Sequence, residues 1–253
     1  MATQDGIIQL KGRVGNISFY KTKDGYAARK ASGVDGVKVK NDDRFVRTRE
    51  NMKEFEQASK ATMAFRAAFA HDVKIAGDGG LARRLTSLFH KLLRQDAVNG
   101  RGSRQVLPVT TKALEGLQFN DASSLTKAHK VPFTPLVNRA TGNVSVEISA
   151  FSPLHDLSKP DGATHFVLRS TAAEIDFETQ KYVAVTAQTA PIAVDSGTTG
   201  GIALQHLIPG ATKPLILTFG INFIQIVNGI EYALKSGLHS VMQVVKVDTG
   251  IAV

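Results

Sequence analysis

The 253-residue chain has 43% hydrophobic residues, which at this length suffices for one large core or two smaller ones. It contains no cysteine, and this excludes disulfides, thiolate nucleophiles and every cysteine-ligated zinc or iron–sulfur site. The net charge of +9 is uneven, with 21 Lys and Arg against 11 Asp and Glu in residues 1–110 and 10 against 11 in residues 111–253, which points to a polyanion or a neighbouring subunit as the partner of the first part, the alternative being a solvated face.

The opening MATQDGIIQLKGR has neither the charged start nor the apolar run of a secretory signal, so a cytoplasmic protein is expected, one that leaves the cell, if at all, as part of an assembly. Residues 6–31 read as β structure. Val14, Ile17 and Phe19 precede the turn Lys21-Thr22-Lys23-Asp24-Gly25, and Tyr26, Ala28, Arg29 and Lys30 follow it. Asp-Gly between two such runs is a strong hairpin signal because glycine takes positive φ without cost. Ala31 to Lys40 reads as a linker, and residues 1–40 as an N-terminal β-hairpin arm.

Residues 41–110 read as a basic helical hairpin. Asn41-Asp42-Asp43 supplies capping side chains for a helix to about Ala70, whose Phe55, Ala58, Thr62, Phe65 and Phe69 recur at steps of three and four. Gly77-Asp78-Gly79-Gly80 then leads into a second helix, Leu81 to about Asp96, with Leu81, Leu85, Leu88, Phe89 and Leu92 on one side and Arg84, Lys91 and Arg94 on the other. Asn99 to Arg104 reads as an exposed basic loop at a domain boundary.

From about Leu117 the period becomes two. Val144, Val146, Ile148 and Ala150 alternate with polar residues, as do Leu215, Leu217, Phe219, Ile221 and Phe223. A change of phase to Ile224 and Ile226 reads as a β-bulge. Lys159-Pro160-Asp161-Gly162, Pro209-Gly210 and Asn228-Gly229 supply turns. About seven short strands predict an antiparallel immunoglobulin-like β-sandwich over 111–253, and the whole chain an α+β protein. The longest apolar run, Pro214 to Val227, is shorter than the roughly 20 residues of a membrane-spanning helix and is broken by Gly220, Asn222 and Gln225.

At Gly15-Asn16, Phe19-Tyr20-Lys21, Asp24-Gly25-Tyr26 and Arg29, then at Arg47-Thr48-Arg49-Glu50-Asn51 and Phe55, the chain resembles an uncharacterised group of proteins from Bacteroidota-type bacteria. Val227-Asn228-Gly229, Tyr232 and Gly237 resemble the same group. The resemblance implies a source and a shared architecture. It implies no activity.

Motifs for catalysis are weak. Asp195-Ser196-Gly197 and Asp248-Thr249-Gly250 echo the paired loops of aspartic proteases, but the two aspartates stand only 53 residues apart and both tripeptides are ordinary turns. The glycine-rich runs at 77–80 and 197–201 lack the spacing and context of a phosphate-binding loop. The seven histidines, His71, His90, His129, His155, His165, His206 and His239, show no metal-site spacing, and no cofactor is expected. The basic residues remain: Lys21, Lys23, Arg29 and Lys30 in the hairpin, Arg44, Arg47 and Arg49 at the helix start, Arg84, Lys91 and Arg94 on the second helix, and Arg101 and Arg104 in the loop. Arginines at a helix N-terminus oppose its dipole and call for acidic partners such as Asp42, Asp43 and Glu50, or for an external anion. The resulting expectation is a non-enzymatic structural protein that assembles with copies of itself into a filament, sheath or virion-like particle. The alternative is a nucleic-acid-binding protein acting through phosphate contacts.

Overall fold

A computed structural model describes residues 2–4, 8–30, 36–234 and 240–250, and divides the chain into two units, Met1–Glu50 and Asn51–Val253. In the first unit, β1 (Ala2–Thr3), β2 (Gly12–Val14), β3 (Ile17–Thr22) and β4 (Gly25–Lys30) form an antiparallel sheet in the order β1-β4-β3-β2. The expected hairpin is therefore the centre of a four-stranded sheet. Its turn is Lys23-Asp24, one residue earlier than Asp-Gly alone suggests. Thr22 pairs with Gly25 at φ +124°, and the Thr22 hydroxyl accepts the Asp24 N–H. The expected linker holds a short helix, α1 (Gly36–Asn41), and its residues 31–35 lie outside the described residues, as do Gly237 and His239. A 3₁₀ turn (Asp43–Phe45) capped by Asp42 leads into α2 (Val46–Ala68).

The second unit mixes helices with antiparallel sheets. After α2 come α3 (Ala70–Ala76), α4 (Leu81–Leu93), a 3₁₀ segment (Pro108–Leu114) and the single turn α5 (Leu125–Ala128). Nine strands follow among the described residues, with one helical turn between the second and third: β5 (Phe133–Asn138), β6 (Asn143–Ile148), α6 (Pro153–Asp156), β7 (His165–Asp176), β8 (Lys181–Gln188), β9 (Ile192–Ala193), β10 (Ile202–Leu207), β11 (Leu215–Val227), β12 (Ile230–Ala233) and β13 (Ser240–Asp248). β5, β6 and β10 make a three-stranded sheet. The remaining six form the larger one, with β11 and β7 at its centre.

β7 and β11 are buried on both faces. Leu168, Ala172, Leu217, Phe219 and Ile221 pack with Val144, Val146, Ile148 and Leu204 of the smaller sheet. Ala173, Ile175 and Ile216 turn the other way, into a core with Ala58, Ala61, Phe65 and Phe69 of the first helical stretch and Leu85, Phe89 and Leu92 of α4. The six-stranded sheet thus lies between a helical layer and a smaller sheet. For that reason the helices and strands do not separate near residue 110: one core spans both. Double-faced burial also explains the phase change at Ile224. β11 pairs with β7 in unbroken register from Leu215 to Ile224, and its register shift lies elsewhere, between Leu217 and Thr218 opposite Val245 of β13.

The helical stripe needs one adjustment. Phe65 and Phe69 are buried, with rings 4.8 Å apart, and Phe65 also contacts Phe89 and Phe119. Phe55 is 59% exposed. Ten residues at 100° each leave it about 80° off the Phe65 direction, outside the seam defined by Ala58, Ala61 and Thr62.

Gly220 of β11 pairs with Met242 of β13. A Cβ there would lie 2.1 Å from the Val241 carbonyl oxygen and 2.9 Å from Met242 Cα, both backbone atoms. Gly220→Ala must push β13 away from the central strand β11, and it is expected to cost about 3 kcal/mol, lowering the melting temperature by roughly 6–12 °C in a thermal unfolding scan. A shift under about 2 °C would contradict this packing.

Candidate functional site

The basic residues divide between the two units. In the first unit, Lys21 lies over the Tyr26 ring at 5.6 Å and Arg29 over Tyr20 at 5.5 Å. The register places Lys21, Tyr26 and Lys30 on one face of the sheet with Val14, Ile17 and Phe19, and Tyr20 and Arg29 on the other with Arg13. Lys23 occupies the turn. At the start of α2 the arginines find internal partners: Arg44 reaches Asp42 at 2.7 Å, Arg47 reaches Glu50 at 2.9 Å, and Arg49 donates to the carbonyls of Val39 and Asp42. The Arg44 guanidinium beside Asp42 holds that carboxyl below its usual range. Internal acids and carbonyls, as one of the two expectations had it, offset the unfavourable helix-dipole position.

In the second unit Arg84 is structural. It bonds Asp78 at 2.8 Å, Asp121 at 3.0 Å and the Phe119 carbonyl, fastening the glycine-rich loop before α4 to residues 119–121. Burial works against the Asp78 carboxylate, but the Asp121 N–H, Arg84 and the Gly80 N–H outweigh it and keep its pKa low. Arg104 approaches the buried Glu54 at 3.5 Å, and Arg101 donates to Asn51. The loop from Asn99 to Arg104 is tied down rather than free. The buried Asp96 accepts from the N–H groups of Gln105, Asn99 and Val98, and these donors, Gln105 first, depress its pKa strongly.

The exposed basic stripe of α4 is Arg83, Lys91 and Arg94, none of which forms an ion pair among the described residues. Arg83 takes the outward position expected of Arg84. It lies about 160° around the helix from Leu85, against about 100° for Arg84, so it is the farther from the apolar face. Two adjoining grooves run along this helix, one of about 540 Å³ lined by Phe55, Ala82, Arg83, Thr86, Ser87 and His90, the other of about 360 Å³ by Arg83, Arg84, Ser87, Leu88 and Lys91.

The polar centre of the unit was not visible in the sequence. Asp72 of α3 and Arg169 of β7 are 1% and 6% exposed, and Arg169 Nε donates to Asp72 Oδ1 at 2.7 Å. The Thr218 hydroxyl donates to Asp72 Oδ2 at 3.1 Å, and Arg169 Nη1 donates to Gln188 Oε1. This network clamps α3 onto the sheet. Its one sequence signal is Arg169, the only basic side chain that is permanently charged in β7 and set among Phe166, Leu168, Ala172 and Ala173. The two Asp-Ser/Thr-Gly turns serve other ends. Asp248 is held by Arg139 at 2.9 Å and by the Gly250 N–H, which outweigh its burial and keep its pKa low, while Asp195 is exposed in a turn. Among the described residues, no group of three or more His, Asp or Glu stands close enough to hold a metal ion, and no helix is long and apolar enough to cross a membrane.

The sheet edges differ sharply. β13 is covered along its outer side by residues 112–119: Gly116 donates to Val244, Val244 to Leu117, Phe119 to Met242, and Val247 to the Glu115 carboxylate. β5 carries Pro135, which has no N–H to offer a neighbour. β8 has neither device, although β10 of the smaller sheet packs beside it without a backbone hydrogen bond. Its eight residues, KYVAVTAQ, pair only with β7, and six of them are exposed, including Tyr182 at 46% and Val183 at 54%. No described backbone group other than those of β7 bonds to this edge. From Tyr182 to Pro191 it bears no charge and has no bulge against β7. An open groove of about 610 Å³, lined by Glu174, Asp176, Gln180, Lys181, Tyr182, Val183, Thr212 and Lys213, lies at its start.

The chain matches no protein-family model, no curated protein and no solved structure.

Proposed function

We propose that the protein is a non-enzymatic structural subunit of a homopolymeric assembly, a filament, sheath or virion-like particle. The observation that carries this reading is the open β8 edge. An exposed, uncharged strand of this length is a template for pairing, and sheet proteins otherwise protect such strands with prolines, charges, bulges or covering segments. This chain protects β13 and β5 in those ways and leaves the outward backbone groups of β8 unbonded, although β10 packs beside it; of the other two edges, β12 is only four residues long and β10 faces β8. Pairing at β8 gives the bare edge its cover. The two packed antiparallel sheets support an immunoglobulin-like sandwich as the scaffold, carrying a helical layer on its outer face. Negative-stain microscopy of the purified protein, with size exclusion at two salt concentrations, is expected to show regular multimers that persist in high salt. Single chains in both would overturn the reading.

A second reading, nucleic-acid binding, is favoured by Arg83, Lys91 and Arg94 along α4, exposed and without an ion pair among the described residues. On that reading Arg83→Ala and Lys91→Ala each weaken duplex binding about equally across sequences and reduce the salt slope by about one. Protein purified free of nucleic acid, with no salt-dependent binding to a labelled duplex, would remove it.

A further inference from the structure

We infer that β8 pairs with β8 of a second copy, antiparallel about a twofold axis through Ala184, so that two six-stranded sheets join into one. The inference rests on the assembly reading above and specifies its first contact.

The hydrogen-bond pattern fixes which groups are free. The Thr189 N–H donates to the Leu168 carbonyl at 3.0 Å, and the Ile175 N–H donates to the Pro214 carbonyl at 3.1 Å. Even-numbered residues of β7 therefore bond towards β8 and odd-numbered ones towards β11, since the two directions alternate along an antiparallel strand. In the register Ala172↔Val185 and Glu174↔Val183, the odd residues of β8 are the ones that bond β7. Tyr182, Ala184, Thr186 and Gln188 thus turn their N–H and C=O groups outward.

A second strand must meet these groups with outward-bonding residues of its own. For β8 against itself, the axis that keeps nearly the whole strand paired passes through Ala184 or through Val185. Through Ala184, Tyr182 faces Thr186 on one side of the sheet and Val183 faces Val185 on the other, pairing an aromatic with a β-branched side chain and two β-branched ones with each other. Lys181, the only charge on the strand, then faces Ala187 rather than a second lysine. Through Val185, Tyr182 would face Gln188, whose side-chain oxygen is already held by Arg169. The Ala184 axis uses the free groups and disturbs none that are engaged. It also sets the partner's Gln188 end beside the groove of about 610 Å³ at Gln180 and Tyr182, which leaves room for the chain that follows.

The absence of cysteine makes the pairing directly measurable. Mates across the axis at Ala184 have Cα atoms about 5.5 Å apart, inside the disulfide range of about 4.4–6.8 Å. Ala184→Cys is expected to oxidise to a covalent dimer on a non-reducing gel. Thr186→Cys alone is not, because its mates lie four residues apart, about 13 Å. Mixed with Tyr182→Cys it is expected to cross-link. Ala184→Lys, which sets two like charges face to face at an exposed position, is expected to lose the dimer in size exclusion while keeping its far-ultraviolet circular dichroism and melting temperature. Cross-linking through Val185→Cys in place of Ala184→Cys would overturn this register. Multimers that form without any of these cross-links, and that survive Ala184→Lys, would overturn the β8 pairing while the assembly reading stands. A wild-type protein that stays a single chain would overturn both.

Discussion

Asp72→Ala is expected to lower the stability of the second unit by about 3–5 kcal/mol, the largest single effect among the substitutions considered. The reason is what it leaves behind. The Arg169 guanidinium, 6% exposed and reaching up from the centre of β7, keeps Gln188 as its only partner among the described residues, and the Thr218 hydroxyl loses its acceptor on α3. A buried charge stripped of its counter-ion costs more than the pair contributed. Asp72→Asn retains one acceptor oxygen without the charge and should fall between wild type and alanine. The double variant Asp72→Leu with Arg169→Met removes both charges and should recover most of the loss. Urea denaturation of the four proteins checks this ordering. A double variant as unstable as Asp72→Ala would show that the cost lies in packing and not in the unpaired charge.

The second large effect is with pH. His129 is 3% exposed, its ring edge-on to Phe219 at 5.3 Å and near Phe151 and Phe133, and neither ring nitrogen has a hydrogen-bond partner among the described residues. Burial disfavours the charged ring and lowers its pKa to about 4, with the backbone at Val131 and the charge of Asp156 opposing only in part. In the unfolded chain the ring titrates near 6.5. Between about pH 6.5 and 4 the unfolded state therefore binds a proton that the folded state refuses, so stability is fully present above 6.5 and is lost as pH falls towards 4. The size of this loss is about 3 kcal/mol. His129→Leu, which removes two unbonded nitrogens from an aromatic setting, should be at least as stable at pH 7 and flat across that window. Both proteins should then weaken below about pH 4, where the carboxylates of Asp78, Asp96, Asp176 and Asp248, all held below their usual range, take up protons. An unchanged slope in His129→Leu between pH 6.5 and 4 would contradict the assignment to this ring.

Local pattern carried much of the fold. The alternation from Leu215 to Phe223, the Leu81 to Leu92 stripe and the Asn228-Gly229 turn, with φ of +52° and +77°, all appear where residue spacing places them. What spacing does not carry is which element covers which. A strand buried on one face and one buried on both differ only in what packs against them. For this reason Ile224 and Ile226 read as a bulge, and the helices read as a domain of their own. The same limit hid the site. Arg44 and Arg84 look identical in a charge count, yet the first sits 82% exposed beside Asp42 and the second is folded over Asp78 and Asp121. The β8 edge was out of reach too, since its bareness depends on residues 112–119 covering the far side of the sheet and not this one.

Assembly through β8 is tested most directly by the molar mass of the wild-type protein from light scattering across a concentration series, with Ala184→Lys run beside it. The expected result is a wild-type mass that climbs with concentration from the 27.1 kDa of one chain to its multiples, while the variant stops short. A wild-type mass that holds at 27.1 kDa over the whole series would contradict it.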